Sequence, residues 1–272
     1  VTATVAEVLA CLDTRYPLGL AAEWDANGLI CGEPAASVRS ILVAVDPVQA
    51  IVDEALLLGV DLVITHHPLF LRGVHSVAGT SPGGRVVHTL IAHGIALANA
   101  HTNADHAVPG VSDALAAAVG LVDLVPLAPL DAGGGTGRVG RLPQPRTLAD
   151  FAETVASALP ATAHGVRVSG DPAQVLATVA VCGGSGDAHL DDAARVADAY
   201  VTADLRHHRA LDHRASGGCA LLDVAHWASE WPWLPVLARH LAEDLAASGT
   251  TVEVHVSTIP TDPWTAHVGS AR

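Results

Sequence analysis

Lysine and methionine are both absent from the 272 residues, and all 14 cationic side chains are arginine. The missing lysine removes whole reaction classes: no Walker-type phosphate loop, no Schiff-base amine and no kinase-type lysine is possible. Aromatic residues are scarce, at 3%, and the formal net charge is −14. A chain this acidic, with so few rings on which bases can stack, is not built to hold nucleic acid. The four cysteines, Cys11, Cys31, Cys182 and Cys219, form no CxxC pair. That usage fits a reducing, cytoplasmic setting better than a disulfide framework. No export signal is visible. Apolar runs are broken by Asp, Gly or Pro well short of the ~18 residues that a membrane helix needs, so no membrane is expected as a partner. Histidine is the exception to this thrift, with 16 copies, and its positions carry the rest of the reading.

The organising stretch is Asp61-Leu-Val-Ile-Thr-His66-His67-Pro68-Leu-Phe70. Leu62 to Thr65 read as a short buried strand, and Pro68 stops it because proline cannot donate to a ladder. Two imidazoles therefore stand at a strand end, where α/β proteins place their chemistry. Side chains alternate faces along a strand, so adjacent histidines serve one site only where the chain leaves the strand, or where each reaches a different atom. The second option suggests two metal ions.

Elsewhere strands alternate with helices. Thr4 caps a first helix over residues 2–12. Ile41 to Val45 is a strand, a helix with Pro47 in its first turn runs to Leu58, and Gly59 ends it. Residues 72–84 read as a loop. Val86 to Ala92 is a helix, Ile95 to Ala100 a strand, and Ser112 caps a helix to Val119. Residues 126–146, rich in Pro and Gly, are the best linker. They suggest an N-terminal α/β half over 1–126 and a C-terminal α/β half over 127–272. In the second half, Thr147 caps a helix and Leu176 to Val181 is a strand leading into Cys182-Gly-Gly-Ser-Gly-Asp187. Further strands are expected at 199–202, 219–224 and 252–257, with helices near 188–197 and 234–247. The fold class is α/β with largely parallel pairing. Asp61 to His67 can be laid over Asp198 onward at an offset of 137, and Ile95 to Asp105 over Cys219 to Glu230. An ancient internal duplication is the inference.

His101-x3-Asp105 and His226-x3-Glu230 share one spacing. If a helical turn opens at each strand end, the two members of each pair lie on one face. With His66 and His67 they supply nitrogen and oxygen donors and no sulfur, a set that suits Zn, Mn, Fe, Co or Ni, and carboxylates can bridge two ions.

Five ordered motifs now stand together: Trp24-Asp25-x-Asn27-Gly28-Leu29, Thr65-His66-His67-Pro68-Leu69, His101-Thr102-Asn103-x-Asp105, Cys182-Gly183-Gly184-Ser185-Gly186 and His226-Trp227-Ala228-x-Glu230. In this order they resemble the Nif-three-like family, often labelled GTP cyclohydrolase I type 2 homologues, over nearly the whole chain. The resemblance implies two similar, interlinked α/β halves with the metal site between them at strand ends, and a homohexameric ring. It also implies two divalent metal ions per subunit, their ligands falling on His66, His67, Asp105, His226 and Glu230. The label implies a metal-dependent hydrolase acting on a nucleotide or related heterocycle. The alternative is a metal-binding, chaperone or regulatory protein without turnover. No extra domain is expected mid-chain. Ala203 stands where the family usually has Gly, and Val224-Ala225 where it usually has Ala-Gly, which puts local geometry in doubt. His101 and His207 are the candidate acid/base groups, His101 being read as a hydrogen-bond partner of Asp105 rather than a ligand. His207 and His208 are read as lining the cleft. The Cys182 to Asp187 turn either holds a phosphate or is a plain tight turn. Asp25 and Asn27 either cap a turn or face the site. Trp227, Trp231 and Trp233 are read as packing.

Overall fold

The computed structural model describes residues 2–269. They form two compact units. The first takes the chain up to Ala107 together with Leu234–Thr261; the second takes Val108–Trp233 together with the chain from Asp262 onward.

The first unit opens with β1 (Ala3–Thr4) and α1 (Val5–Arg15). The Thr4 hydroxyl accepts the Glu7 amide at 3.2 Å, and the Glu7 carboxylate accepts the Thr4 amide at 2.7 Å, a reciprocal cap that satisfies two of the helix's orphan donors. Then come β2 (Gly28–Cys31), β3 (Ser37–Val38), β4 (Ser40–Ala44), α2 (Gln49–Leu58), β5 (Leu62–Thr65), α3 (Pro82–Ala92), β6 (Ala96–Asn99) and α4 (Thr102–His106). Gly59 ends α2 in the left-handed region, at φ 67°. α3 begins four residues before the predicted start. The Ser81 hydroxyl accepts the Gly84 amide, and Pro82 occupies the first turn, where its missing N–H costs nothing.

The second unit holds α5 (Val111–Ala118), β7 (Val122–Pro129), β8 (Gly135–Thr147), α6 (Leu148–Ala158), β9 (Arg167–Ser169), β10 (Val175–Ser185), α7 (Leu190–Val196), β11 (Ala199–Ala203), α8 (His207–Ala215), β12 (Ala220–Val224) and α9 (His226–Glu230). α10 (Trp233–Ala247) and β13 (Glu253–Val256) close the described elements. β13 pairs in parallel with β4, so most of the last 40 residues return to the first unit. The halves at 1–126 and 127–272 expected from the sequence are therefore not the compact units. The expected linker at 126–146 is not a linker either: it spans the end of β7, the turn and most of β8, an antiparallel hairpin.

The first sheet runs β13-β4-β5-β6-β2 and the second β7-β8-β10-β11-β12-β9. The parallel strands β4-β5-β6, extended by β13, and β10-β11-β12 each carry a short antiparallel strand on the outer edge, β2 beside β6 and β9 beside β12. One acid does the same work in both. The Asp61 carboxylate accepts the amides of Arg39 and Ser40, and its carbonyl accepts the Ala96 amide. The Asp198 carboxylate accepts those of Ala177 and Thr178, and its carbonyl the Ala220 amide. The shared strand order and shared acid support the duplication read from the sequence.

Each unit has its own core. Leu42, Ile51, Val63, Leu90 and Leu97 pack together in the first, and Ala180, Leu190, Tyr200 and Leu221 in the second. Each large aliphatic side chain buried in this way contributes roughly 1.5–3 kcal/mol. Among the described residues no helix is long and apolar enough to cross a membrane.

Candidate metal centre

In the first unit the ladder between β4 and β5 continues for two residues beyond the strand. His66 donates its amide to Ala44 and His67 donates its amide to Val45. The Thr65 hydroxyl donates to the His67 carbonyl at 2.7 Å and curls the chain. The two rings consequently do not point apart; their centroids lie 5.1 Å from each other. His101, just after β6, brings its ring to 5.2 Å from His66 and 5.5 Å from His67. One ring nitrogen from each of these three histidines lies within 4.8 Å of the others.

The orientation of each ring is fixed from behind. His66 is buried, and its Nδ1 donates to the Ala100 carbonyl at 2.9 Å. His67 Nδ1 meets Asp46 at 2.7 Å, and His101 Nδ1 meets Asp25 at 2.7 Å. A hydrogen bond on one imidazole nitrogen leaves the other as the ligand atom. The His66 Nε2 faces Asp105 at 3.6 Å. The helical turn expected between His101 and Asp105 is present, with the Asp105 amide bonded to the His101 carbonyl. His101 is not the partner of Asp105, however; its Nδ1 belongs to Asp25.

That contact explains the Trp24-Asp25-x-Asn27 motif. Asp25 accepts from His101, from the amide and hydroxyl of Thr102, and from the Asn27 side chain. Asn27 Oδ1 also accepts the His101 amide at 2.7 Å. Burial alone would raise Asp25, but these hydrogen bonds outweigh it and hold the carboxyl well below the usual carboxylate range. Asp25 therefore stays ionised.

In the second unit α9 opens at the end of β12 and places His226 Nε2 3.0 Å from Glu230 Oε1. Asp204 stands behind His226, with Oδ2 2.6 Å from Nδ1. The Glu230 carboxylate and the Asp204 contact overcome burial and push the His226 imidazolium up to about 11. Two acids, one of them buried, thus concentrate negative charge on this ring. A divalent cation answers that charge as well as a proton does.

The glycine-rich segment has a definite role. The Gly183 amide donates to the Ser112 hydroxyl and the Gly184 amide to the Ser229 hydroxyl, so these two amides are committed to the fold and not to a phosphate. Ser112 does not cap α5 as expected: it lies within the helix, whose cap is Gly110. Gly184 has φ 67°, and a Cβ there would collide with Glu230 Oε1 and lie 3.0 Å from His226 Nε2. Only glycine lets β10 pass this close to the acid–imidazole pair.

His207 and His208 open α8 on the surface, ring against ring. His207 lines a separate cleft of about 370 Å³ with Arg167, Leu211 and Asp223, and none of the five expected ligands lines it. Trp227 and Trp233 are buried packing residues. Ala203 and Ala225 do not need glycine: Ala225, after β12, is extended at φ −68°, and the positive φ at the end of β11, 57°, falls on Asp204 rather than on Ala203. Sequence spacing missed Asp46 and Asp204, because each stands more than 20 residues from the ring it orients.

A family model for Duf34/NIF3 (NGG1p interacting factor 3) matches residues 3–263. The chain belongs to the DUF34/NIF3 family. Among its relatives, a Streptomyces coelicolor protein named GTP cyclohydrolase 1 type 2 homolog is 53% identical over 272 residues, covering 98% of this chain and 95% of that protein. A Mycobacterium bovis protein of the same name is 37% identical over an alignment of 369 positions, longer than this chain, covering 96% of each. Among solved structures, a Bacillus cereus protein related to NIF3 superposes with a TM-score of 0.90 at 26% identity, covering 97% of this chain and 99% of that one. This DUF34/NIF3 chain thus shares the fold of its relatives almost end to end. It carries histidine and carboxylate groups able to hold metal.

Proposed function

We propose that this chain is a dinuclear metal protein of the hydrolase type, acting on a nucleotide or related heterocycle. His66, His67, Asp105, His226 and Glu230 are its ligands. The observation that carries the reading is the orientation of the rings. Each of the three ligand histidines has its Nδ1 engaged, by the Ala100 carbonyl, Asp46 or Asp204, which directs Nε2 toward an ion. The donor set, nitrogen and oxygen without sulfur, fits Zn, Mn, Fe, Co or Ni. Bound there, such ions supply Lewis acidity and acidify a water at neutral pH. His101, backed by ionised Asp25, is the group placed to move a proton: a base oriented by a third residue. The relatives' name, GTP cyclohydrolase 1 type 2 homolog, makes GTP the first substrate to try.

Four free thiols suit a cytoplasmic protein, and family resemblance supports a ring of six. A second reading, metal binding without turnover, is favoured by one observation: His207 lines a different cleft, which leaves His101 as the single candidate for proton transfer. Incubating metal-reconstituted protein with a nucleotide panel, followed by mass spectrometry, separates the two readings. Elemental analysis should give about two first-row ions per chain, and a reproducible value near zero or one removes the dinuclear site. Light scattering that reports a monomer at every concentration removes the ring.

A further inference from the structure

A cavity of about 640 Å³ opens beside His67 within the first unit. Pro68, Leu69 and Phe70, directly after the histidine pair, line it together with Pro47 and Val48. Its two charged side chains differ in standing. Asp46 is committed, holding His67 Nδ1 and accepting the Thr261 hydroxyl. Arg85, in the first turn of α3, has no side-chain hydrogen bond or ion pair among the described residues.

That is unusual here. The chain has 28 acids for 14 arginines, and Arg15, Arg138, Arg167 and Arg206 each hold an aspartate. Arg72 shares the condition of Arg85 but does not line the cavity. α2 and α3 both begin at the cavity, and neither carries an acid in its first turn, so their N-terminal ends add partial positive charge to a lining in which Asp46 is the one carboxylate among the described residues. The volume suits a nucleotide-sized ligand. The lining joins apolar side chains, among them Pro68 and Phe70, to the cation of Arg85, and the Phe70 ring lies against Gly83, two residues before that arginine.

We infer that this cavity receives the substrate, with its heterocycle against Pro68 and Phe70 beside His67 and its phosphate on Arg85, which makes Arg85 a specificity-determining residue. The inference rests on the proposed hydrolase reading and adds to it a place and an anchor for the anionic group. A guanidinium meets phosphate with two parallel hydrogen bonds, which an ammonium cannot copy.

The test is equilibrium binding of GTP, GMP and guanosine to the full metal-reconstituted chain by calorimetry. The variants are Arg85→Ala, Arg85→Lys and, as a charge-matched control on the surface of α10, Arg239→Ala. Metal content is measured on every sample. The wild type should bind GTP tighter than guanosine. Arg85→Ala should weaken GTP by tenfold or more and leave guanosine unchanged, with Arg85→Lys between them and Arg239→Ala like the wild type. Equal affinity of the wild type for GTP and guanosine overturns the anchor, as does no binding of either. So does Arg85→Ala binding GTP normally, or losing guanosine to the same degree. Metal content separates this from the metal reading: wild type without metal defeats that reading, whereas a metal-replete Arg85→Ala with normal GTP binding defeats only the anchor.

Discussion

Asp204 holds a left-handed backbone, φ 57°, that residues other than glycine rarely adopt. The conformation costs an L-residue roughly 1–2 kcal/mol, less for Asp and Asn than for others. It also brings the carboxylate to 2.6 Å from His226 Nδ1. Strain at a point of function is the expected pattern where the side chain matters more than the backbone. Asp204→Gly should therefore relieve the backbone but lose the ion pair with His226, so that metal-free stability changes little, while metal affinity falls about 10–100-fold. Asp204→Asn, which keeps an acceptor but not the charge, should fall between. Competition titration against a chelator, paired with thermal melts, checks both halves of the statement. An Asp204→Gly variant that binds metal normally would show that His226 needs no orienting acid. The acids behind the rings also mark how far the sequence could be read. His66, His67, Asp105, His226 and Glu230 announce themselves by adjacency or by a four-residue spacing. Asp25 stands 76 residues from His101 and Asp46 stands 21 from His67, so only the fold brings each pair together.

At the scale of elements, the end of β10 is shaped by what α9 places against it. Gly184→Ala introduces a Cβ that collides with Glu230 Oε1 and crowds His226 Nε2, at a φ of 67°. The variant should lose roughly 1–2 kcal/mol from backbone strain and lose metal well beyond that, because the acid–imidazole pair must move. Elemental analysis beside a denaturant melt decides it; full metal content in a folded Gly184→Ala refutes the close-approach argument. A second element, α10, is tied to α1 by Arg15, which holds Asp244 through two hydrogen bonds of 2.8 and 2.6 Å. The arginine lowers the Asp244 pKa. A depressed folded pKa gives stability that is present above the unfolded value of ~3.9 and lost as pH falls through the folded value. Both groups are partly exposed, so Asp244→Asn should cost only about 0.5–1 kcal/mol at pH 7, and the difference from wild type should close as pH falls below the ordinary carboxylate range. Melts across pH 2–7 that show a constant difference would contradict the linkage. Helices with side-chain caps, such as α1 at Thr4 and α6 at Thr147, were legible for the same local reason that they form. β7 and β8 were not. Pro126 and Pro129 lie on a sheet edge, where proline is tolerated, and the glycines between the strands mimic a linker. α8 was missed because His207, His208 and Arg209 give it no apolar stripe at its start.

At the scale of the whole chain, each unit carries one part of the proposed ligand set: His66, His67 and Asp105 in the first, His226 and Glu230 in the second. Each part is built alike, a strand end followed by a five-residue helix with a carboxylate four residues after a histidine. If the five residues hold the same two ions, metal stabilises the fold by mass action, since it binds the native arrangement far better than the unfolded chain. At about 100 times the dissociation constant that linkage is worth ~2.7 kcal/mol. In a chain of this length it should raise the melting temperature by about 5–10 °C. His66→Ala with His67→Ala and, separately, His226→Ala with Glu230→Ala should each abolish metal uptake and the metal-induced shift together, although the pairs are more than 150 residues apart. Protons compete with metal for the imidazole nitrogens, so the shift should shrink as pH falls and recover as it rises. The measurement is a thermal melt of wild type and both double variants, with metal and with chelator. A double variant that keeps the full metal-induced shift has lost residues that are not ligands, and the single shared set of five is then wrong.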